Sequence, residues 1–316
     1  MIEEKMMRLM YLLAVLLNLN RTIFANSPSR ISKEHNLEFL AQESASQGYD
    51  RNFIALVEMI YGSGFLSQGG RASVQSMVEG LHLNGCKILD IGSGLGGPCL
   101  YLAEQYDCEI TGLEPQEWMV KKAQMNLHAA KDMLKGSIEF ILMQAASNLQ
   151  QFEEASFDVI LSKEALLHLP LSAKEGFFAE IHRVLKPNGA LVIMDWMRGS
   201  LDYSENTKKM MEQDGVAYHL IFCDKYLEFL RQAGFSEVTV QDITADHAIF
   251  SQQNVDRIQD LKSMIDSLYG EQVFWQSIDS WNWQRDAFKS RELLVGVFRA
   301  RKTKTVANLL DRLTTP

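Results

Sequence analysis

Two acidic residues and a run of glycines have the spacing of a nucleotide-type binding site. Asp90 is followed by glycines at positions 92, 94, 96 and 97. Glu114 lies roughly 20 residues beyond this run, the distance expected of a ribose-binding acid. Glycines let the backbone turn sharply and approach a ligand closely, and Pro98 suits the first turn of a helix with its unpaired N–H groups. The pattern therefore predicts a polar ligand beside a helix N-terminus.

Two cofactors compete for this loop. Gly92, Gly94 and Gly97 satisfy the GxGxxG fingerprint of dinucleotide-binding proteins, so an NAD-dependent oxidoreductase is one hypothesis. Asp90 argues against it, because a carboxylate just before the glycines would repel a pyrophosphate. S-adenosylmethionine has no phosphate and carries an ammonium group at its methionine end, so the same acid favours it. Glu114 would then accept hydrogen bonds from both ribose hydroxyls.

Strands and helices alternate along the chain, as in a doubly wound α/β fold. Apolar runs predict strands at 88–91, 108–113, 138–142, 157–161, 190–194, 237–243 and 293–298. Apolar residues at helical spacing predict helices at 37–47, 52–60, 74–81, 177–185, 206–213, 225–233 and 255–268, with others after the glycines and after Pro115. Pro-Asn-Gly at 187–189 predicts a turn before the fifth strand. Ligands in such folds bind at the carboxyl ends of the strands, and the segments before 87 and between 197 and 291 would cover that edge.

Composition is that of an acidic enzyme. The 316 residues include 31 Lys and Arg against 40 Asp and Glu, a formal net charge of -9. Nucleic acid is not expected as a partner, because neutralising phosphates requires clustered Lys and Arg. The four cysteines have neither zinc-type spacing nor the density of a disulfide scaffold, so we expect free thiols, a reducing compartment and no metal site.

The first 28 residues leave three interpretations open. Residues 9–19 form an apolar run with Arg8 before it and Ala25 as a possible cleavage-site residue, too short to span a bilayer. The segment is a secretion signal, a membrane-touching helix, or an extension upstream of the natural start. Export would separate the enzyme from a cytosolic cofactor, so a cytoplasmic location is expected, with membrane contact only through this leader.

Four separated blocks resemble a known family. They are YGSGFLSQGG at 61–70, LDIGSGLGG at 89–97, FDVILSKEALLHL at 157–169 and LKPNGALVIMDW at 185–196. In this order they resemble class I S-adenosylmethionine-dependent methyltransferases, and more narrowly phosphoethanolamine N-methyltransferases, which act on a small-molecule amine in phospholipid and choline metabolism. The resemblance implies a Rossmann-like seven-stranded sheet with an antiparallel last strand and a helical cap. The methyltransferase domain would span 29–302, with cap elements at 29–82 and 197–291 and a polar tail at 303–316.

The resemblance also assigns roles to residues. An amine must arrive uncharged at the methyl donor, which requires a base, and His168 follows the fourth strand. The family pairs this histidine with an N-terminal tyrosine over the substrate, here Tyr49. Ser67 matches the loop that folds over the cofactor, and Glu164 stands where the family has an aspartate near the acceptor amine. Ala146 occupies or neighbours the place of the acid that usually reads the adenine, which leaves backbone groups or its neighbours for that task.

The residues expected around the acceptor of the methyl group, here called the acceptor end of the site, differ from the family's pattern. Tyr218 is retained, but Trp196 replaces a tyrosine, Val216 falls near the arginine position and Trp283 or Gln284 near the lysine position. Losing those cations removes the strongest charge-assisted hydrogen bonds to a phosphate.

Several explanations of the altered acceptor end stay open. Arg198, Arg285 or Lys289 would compensate for the lost cations, or the acceptor carries a carboxylate, as in the related sarcosine and dimethylglycine methyltransferases. A non-catalytic cofactor-binding scaffold is a further alternative. The tryptophans at 196, 275, 281 and 283 would form an aromatic box for a methylated ammonium, or simply pack.

Overall fold

The computed structural model describes residues 51–143 and 149–303. Within them lie seven strands: β1 (Lys87–Ile91), β2 (Glu109–Glu114), β3 (Ser137–Leu142), β4 (Phe157–Lys163), β5 (Leu185–Arg198), β6 (Ser236–Asp242) and β7 (Leu293–Arg301). The α-helices are α1 (Arg51–Tyr61), α2 (Gly70–Met77), α3 (Gly97–Gln105), α4 (Glu117–Ala130), α5 (Leu171–Val184), α6 (Glu205–Gln213), α7 (Cys223–Gln232), α8 (Thr244–Asp260), α9 (Lys262–Tyr269) and α10 (Glu271–Lys289). None of these described helices is both long and apolar enough to cross a bilayer.

The strands form a single mixed sheet in the order β3-β2-β1-β4-β5-β7-β6. β1 pairs in parallel with β2 on one side and with β4 on the other, whereas β7 runs antiparallel to both β5 and β6. This confirms the predicted doubly wound, Rossmann-like sheet with an antiparallel last strand. The order reverses between β1 and β4, and ligands bind at the carboxyl ends of strands beside such a switch point.

Helices cover both faces of the sheet because the central strands are apolar on both sides. One face packs α2, α3 and α4 against residues such as Ile88 and Val192. The other packs α5 and α7 against their sequence neighbours Leu89 and Leu191. The alternation along each strand therefore builds two cores, which hold the carboxyl ends of β1, β2 and β4 in fixed positions.

A third apolar cluster joins α1 to α8, α9 and α10 above the sheet edge. Val57 and Ile60 of α1 contact this cluster together with Ile258, Phe274 and Trp281. These helices are the described part of the expected helical cap. They stand over the carboxyl ends of the strands, where the side chains described below converge.

The structure differs from the sequence predictions at three places. The helix predicted at 255–268 is two helices, α8 and α9, which meet at Leu261. The 19-residue α10 was not predicted, because its tryptophans are spaced among polar residues. The predicted turn at 187–189 lies inside β5, where Asn188 adopts a φ of 67° within an irregularly paired stretch.

Candidate active site

The glycines after β1 adopt conformations that a side chain would not tolerate. Gly92, Gly94 and Gly96 have φ angles of 77°, 54° and 87°, in the left-handed region that favours glycine. A Cβ atom on Gly92 would lie 2.3 Å from the Cβ of Ala165. The loop therefore folds tightly between β1 and α3, and residues 91–95 line a cavity with little side-chain bulk.

Glu114, the last residue of β2, is tied to this loop by its carboxylate. Oε2 accepts the N–H of Gly94 at 3.0 Å, and Oε1 accepts the N–H of Gln116 at 3.1 Å. Burial raises the pKa of Glu114 to about 7, although these N–H groups oppose the rise. Its side chain nevertheless lines the cavity. A carboxylate held in this way can accept hydrogen bonds from a pair of ribose hydroxyls, the role that the sequence predicts for it.

Asp90 lies elsewhere than the sequence suggests. The residue is 2% exposed, its Oδ2 accepts a hydrogen bond from the Cys99 thiol at 3.1 Å, and it is not among the described residues that line the cavity. Burial raises its pKa to about 6, although the thiol hydrogen bond opposes the rise. Asp90 therefore lies outside the described cavity wall, and its predicted part in cofactor binding stays a prediction. Asp90 instead links β1 to α3 beneath the glycine loop.

The first cavity has a volume of about 430 Å³ and lies at the switch point of the sheet. Its floor is the glycine loop, and one wall is the start of α4 after Glu114. The opposite wall combines the loop before α2 with the turn after β4. Its lining includes Gly64, Leu66, Ser67, Glu114, Gln116, Met119, Met143, Lys163, Ala165, His168, Phe177 and Val216.

Lys163 ends β4 and is a site residue that the sequence reasoning missed. Its Nζ donates to Ser67 Oγ at 2.5 Å and to the Gln68 carbonyl at 3.0 Å, and it lies 3.3 Å from Oε1 of Glu164. Burial lowers the pKa of Lys163, although Glu164 opposes this. Its position at the carboxyl end of a buried central strand was the available signal, because ligands bind there in this architecture. Lys163 brings an ammonium to the first cavity and fixes the loop that carries Ser67.

Glu164 follows Lys163 in a strained conformation, with a φ of 51°. Besides Lys163, its Oε1 is 3.1 Å from Nε2 of His247, a residue of α8 that the sequence reasoning also missed. Burial alone would raise the pKa of Glu164, but the Lys163 charge and the His247 hydrogen bond lower it to about 2. The carboxylate is therefore ionised although its side chain is nearly buried.

His168 ends a 3-10 turn at Leu166–His168, and within residues 51–143 and 149–303 only its Nδ1 has a hydrogen-bond partner. Nδ1 lies 2.8 Å from the carbonyl oxygen of Ala217, which can only accept a hydrogen bond. Burial lowers the pKa of His168, although the Ala217 contact opposes this. The ring is therefore neutral with its proton on Nδ1, and Nε2 keeps a lone pair, as a general base requires.

Two further contacts hold this turn. Lys174 of α5 donates from Nζ to the carbonyl of Leu166, and the N–H of His219 donates to the carbonyl of Leu167 at 2.7 Å. The segment 215–219 thus crosses the turn and supplies the Ala217 acceptor. The orientation of the His168 ring follows from these backbone contacts.

A second, smaller cavity of about 130 Å³ adjoins the first. Leu66, Ser67, His168 and Val216 line both cavities, so this group of four residues forms the wall between them. The second cavity is lined further by Tyr61, Gln68, Glu164, Leu167, Trp196, Gln213, Asp214, Tyr218, Ser277, Ser280, Trp281 and Gln284. The site residues predicted at 164, 168, 196 and 218 therefore converge here.

Aromatic side chains form one wall of the second cavity. The Trp196 ring stacks on Tyr218, with centroids 5.9 Å apart and an interplanar angle of 13°, and meets Phe288 edge to face. The Tyr218 hydroxyl donates to Oδ2 of Asp214 at 2.6 Å. Trp281 also lines the cavity, but Trp275 is 51% exposed and Trp283 packs against the sheet core. The four tryptophans thus do not form a single aromatic box.

The cations expected to compensate for the lost phosphate ligands do not line this cavity. Arg198 donates to the carbonyl oxygens of Ser200 and Leu201, and Arg285 is bonded to other side chains of α8 and α10. Lys289 is absent from both described cavity walls. None of these three cations therefore lines the described wall of the second cavity, and their compensating role stays a prediction.

Tyr49 and Ala146 lie outside the described residues, as do Gln144 and Ser147 beside Ala146. Their predicted roles at the acceptor and the adenine remain predictions. The same holds for the leader at 1–28 and the tail beyond 303.

Comparisons with known proteins agree with this geometry. A family model described as a methyltransferase domain matches residues 89–193, which contain the glycine loop, Glu114, Glu164 and His168. Phosphoethanolamine N-methyltransferase 1 of Arabidopsis thaliana is 29% identical over 255 residues, covering 80% of this chain and 50% of the relative. The Plasmodium falciparum enzyme is 27% identical over 256 residues, covering 80% of this chain and 93% of the relative. The chain thus spans about half the length of the plant relative and nearly all of the parasite enzyme.

A solved structure shares the fold. Phosphoethanolamine N-methyltransferase 2 of Haemonchus contortus, in complex with phosphomonomethylethanolamine and S-adenosylhomocysteine, superposes with a TM-score of 0.74 at 23% identity. The match covers 84% of this chain and 60% of that chain.

The residues of the first cavity fit S-adenosylmethionine. The floor of the cavity is glycine backbone without side chains, which leaves space for a ligand, and Glu114 can accept hydrogen bonds from ribose hydroxyls. The cofactor is S-adenosylmethionine, and the dinucleotide alternative is set aside. The chain belongs to the class I S-adenosylmethionine-dependent methyltransferases and is similar to the phosphoethanolamine N-methyltransferases.

Proposed function

We propose that this enzyme transfers the methyl group of S-adenosylmethionine to the nitrogen of a small-molecule amine. The observation that carries the proposal is the position of His168, which lines both cavities and whose Nε2 has no hydrogen-bond partner among the described residues, while Nδ1 is engaged by Ala217. A base at the wall between a donor cavity and an acceptor cavity is what the methylation of an amine requires.

The chemistry divides between cofactor and protein. When bound, S-adenosylmethionine supplies an electrophilic methyl group on a sulfonium. The amine enters as an ammonium and is held by the ionised Glu164 carboxylate, while Nε2 of His168 accepts one of its protons. The freed nitrogen lone pair would then form the new N–C bond with the methyl group of the bound donor, whose C–S bond would break and leave a neutral thioether. The protein mainly aligns the two reactants and excludes water.

Lys163 and His247 support this role by keeping Glu164 charged. A carboxyl group this buried would otherwise hold its proton, and a neutral carboxyl would bind an ammonium weakly. The two partners lie at 3.3 Å and 3.1 Å from the same oxygen, Oε1, and their combined effect lowers the pKa of Glu164 to about 2. Among the described residues Oε2 has no hydrogen-bond partner, and it is the oxygen that we assign to the ammonium.

The acceptor site differs from that of a phosphobase enzyme. Among the described residues that line the second cavity there is no Lys or Arg, and Val216 and Gln284 stand there near the family's cationic positions. Neither a phosphate nor the carboxylate of sarcosine or dimethylglycine would find a cation in this wall. The relatives nevertheless support a place in phospholipid or choline metabolism, and the cytosolic origin of the cofactor supports a cytoplasmic location.

Turnover on a panel of amines tests the proposal. The full chain is incubated with S-adenosylmethionine carrying a labelled methyl group and with ethanolamine, phosphoethanolamine, sarcosine or dimethylglycine, and the products are identified by mass spectrometry. We expect labelled N-methyl product from at least one amine, lost in His168→Ala. Absence of transfer to every amine, with S-adenosylhomocysteine still bound in calorimetry, would overturn the proposal in favour of a non-catalytic cofactor-binding protein.

A further inference from the structure

We infer that the acceptor is a monocationic amine with an uncharged, oxygen-bearing tail, such as a small amino alcohol, and that anionic tails are rejected. The inference rests on the proposed function, because it takes the second cavity as the place where the amine binds. It goes further by assigning the group that fills the far end of that cavity.

The charges around the second cavity match a single positive charge on the ligand. Glu164 and Asp214 are the acidic side chains in the described wall, and Lys163 lies 3.3 Å from the Glu164 carboxylate. Counting Asp, Glu, Lys and Arg, these three residues sum to one negative charge when Asp214 is ionised. A monocation balances this charge, whereas phosphoethanolamine would add negative charge to it.

Asp214 is the group that an anionic tail would meet. Burial raises its pKa to about 6, although the hydrogen bond from Tyr218 opposes the rise, so the carboxylate is mainly ionised at pH 7.5. Like charges repel strongly in a site of low dielectric, and such juxtaposition is a common means of rejecting a wrong ligand. A phosphate or carboxylate near Asp214 is therefore disfavoured.

The wall beside Asp214 contains the buried indole N–H of Trp196. Its side chain is 5% exposed, it belongs to the wall of the second cavity, and its Nε1 has no hydrogen-bond partner among the described residues. An indole N–H can only donate, and buried donors are normally paired. The Trp196 ring stacks on Tyr218, whose hydroxyl contacts Asp214. A hydroxyl on the ligand could donate to Asp214, which a phosphate without protons could not do.

The first test compares acceptors of similar length. Kinetics with ethanolamine, phosphoethanolamine, β-alanine and 1,3-diaminopropane are measured at pH 7.5 with saturating S-adenosylmethionine. Binding of each acceptor to the chain saturated with S-adenosylhomocysteine is measured by calorimetry in parallel. We expect kcat/KM for ethanolamine to exceed that for each of the others by about 10-fold or more, because each mismatched charge would be buried.

Two variants make the test specific to the cavity. Asp214→Asn keeps the shape but removes the negative charge, so the preference for ethanolamine over phosphoethanolamine should fall by about 5-fold or more. Val216→Arg supplies a cation and should move the preference toward phosphoethanolamine by at least that factor. Asp202→Asn, in an exposed segment outside both cavities, changes the net charge by the same amount as Asp214→Asn and should leave the preference unchanged. S-adenosylhomocysteine binding verifies that each variant is folded.

The outcomes separate the inference from the proposed function. A preference for phosphoethanolamine, β-alanine or the diamine in the unmodified chain would overturn the inference while methyl transfer itself stands. An unchanged preference in both Asp214→Asn and Val216→Arg, with cofactor binding intact, would overturn it as well. Binding of ethanolamine without any methylation would contradict the proposed function but support the inferred acceptor chemistry.

Discussion

His168 concentrates the proposed chemistry in a single side chain, so its replacement should separate catalysis from binding. A positioned general base contributes about 10²- to 10⁴-fold to rate, and His168→Ala should lower kcat by a factor in that range. S-adenosylhomocysteine affinity should change little, since Glu114 and the glycine loop bear most of the cofactor site. Activity assays on the wild type and on His168→Ala measure kcat, and calorimetry on the same two proteins measures the affinity for S-adenosylhomocysteine. Weakened cofactor binding with an unchanged kcat would refute this role.

The pH profile gives a second measure of His168. Burial lowers its pKa, and the ring acts as a base only when neutral, so kcat at saturating substrates should be level above pH 6.5 and fall as the pH drops below it. His168→Ala should lack this fall. A wild-type kcat that rises toward acid would contradict a neutral histidine base.

Glu114 should make cofactor affinity depend on pH in a defined direction. Its pKa is raised to about 7 and only the ionised carboxylate accepts hydrogen bonds at full strength, so S-adenosylhomocysteine should bind more tightly as the pH rises from 6 to 8. Hydrogen bonds to charged groups are worth about 1.5–3 kcal/mol, so Glu114→Gln should weaken binding by roughly 10- to 100-fold at pH 8. Calorimetry at several pH values checks both, and a wild-type affinity that falls above pH 7 would exclude this role.

At this scale the sequence predicts residue types better than their contacts. The glycine spacing and Glu114 are found from sequence alone because backbone conformation and strand position dictate them. Asp90 illustrates the limit, since nothing local shows that its carboxylate turns to Cys99. Lys163 and His247 both contact Glu164. Lys163 is its neighbour in sequence, but His247 is 83 positions away, and its contact forms only when α8 packs over β4.

The loop before α2 and the start of α3 are packed so closely that a single methyl group should disturb both cavities. The N–H of Gly97 donates to the Gly64 carbonyl at 2.9 Å, and a Cβ on Gly97 would lie 2.5 Å from that oxygen. Gly97→Ala should therefore displace the segment that carries Ser67, with a loss of about 1–3 kcal/mol of stability. Urea unfolding and S-adenosylhomocysteine calorimetry should both show the damage.

Gly176 offers the matched control. It lies on the exposed face of α5, and a Cβ there would meet no atom within 4 Å. Replacing a glycine in a helix interior by alanine stabilises by roughly 0.5–1 kcal/mol, so Gly176→Ala should raise the free energy of unfolding and leave cofactor affinity unchanged. Equal effects of Gly97→Ala and Gly176→Ala would show that the contact between loop and helix does not shape the site.

The strands of the sheet were predictable, whereas the division between α8 and α9 and the whole of α10 were not. Each central strand is an apolar run buried on both faces, so its composition alone identifies it. α10 instead owes its position to contacts with α1, α8 and α9, and its polar face lines the second cavity through Ser277, Ser280 and Gln284. A helix whose inward residues serve a ligand loses the apolar stripe by which sequence patterns identify helices.

The whole molecule is acidic and should attract the cationic acceptor that we infer. The formal net charge is -9, and a field of one sign raises the encounter rate of an oppositely charged ligand until salt screens it. Raising ionic strength from 20 to 500 mM should therefore lower kcat/KM for ethanolamine, by about 2- to 5-fold. Once bound, the amine lies among buried groups that salt screens poorly, so kcat should stay constant.

S-adenosylhomocysteine, a zwitterion without net charge, is the control, and its dissociation constant should change less than kcat/KM does. A salt-independent kcat/KM would show that the acidic surface plays no part in acceptor capture, and an increase would indicate that the acceptor arrives with negative charge.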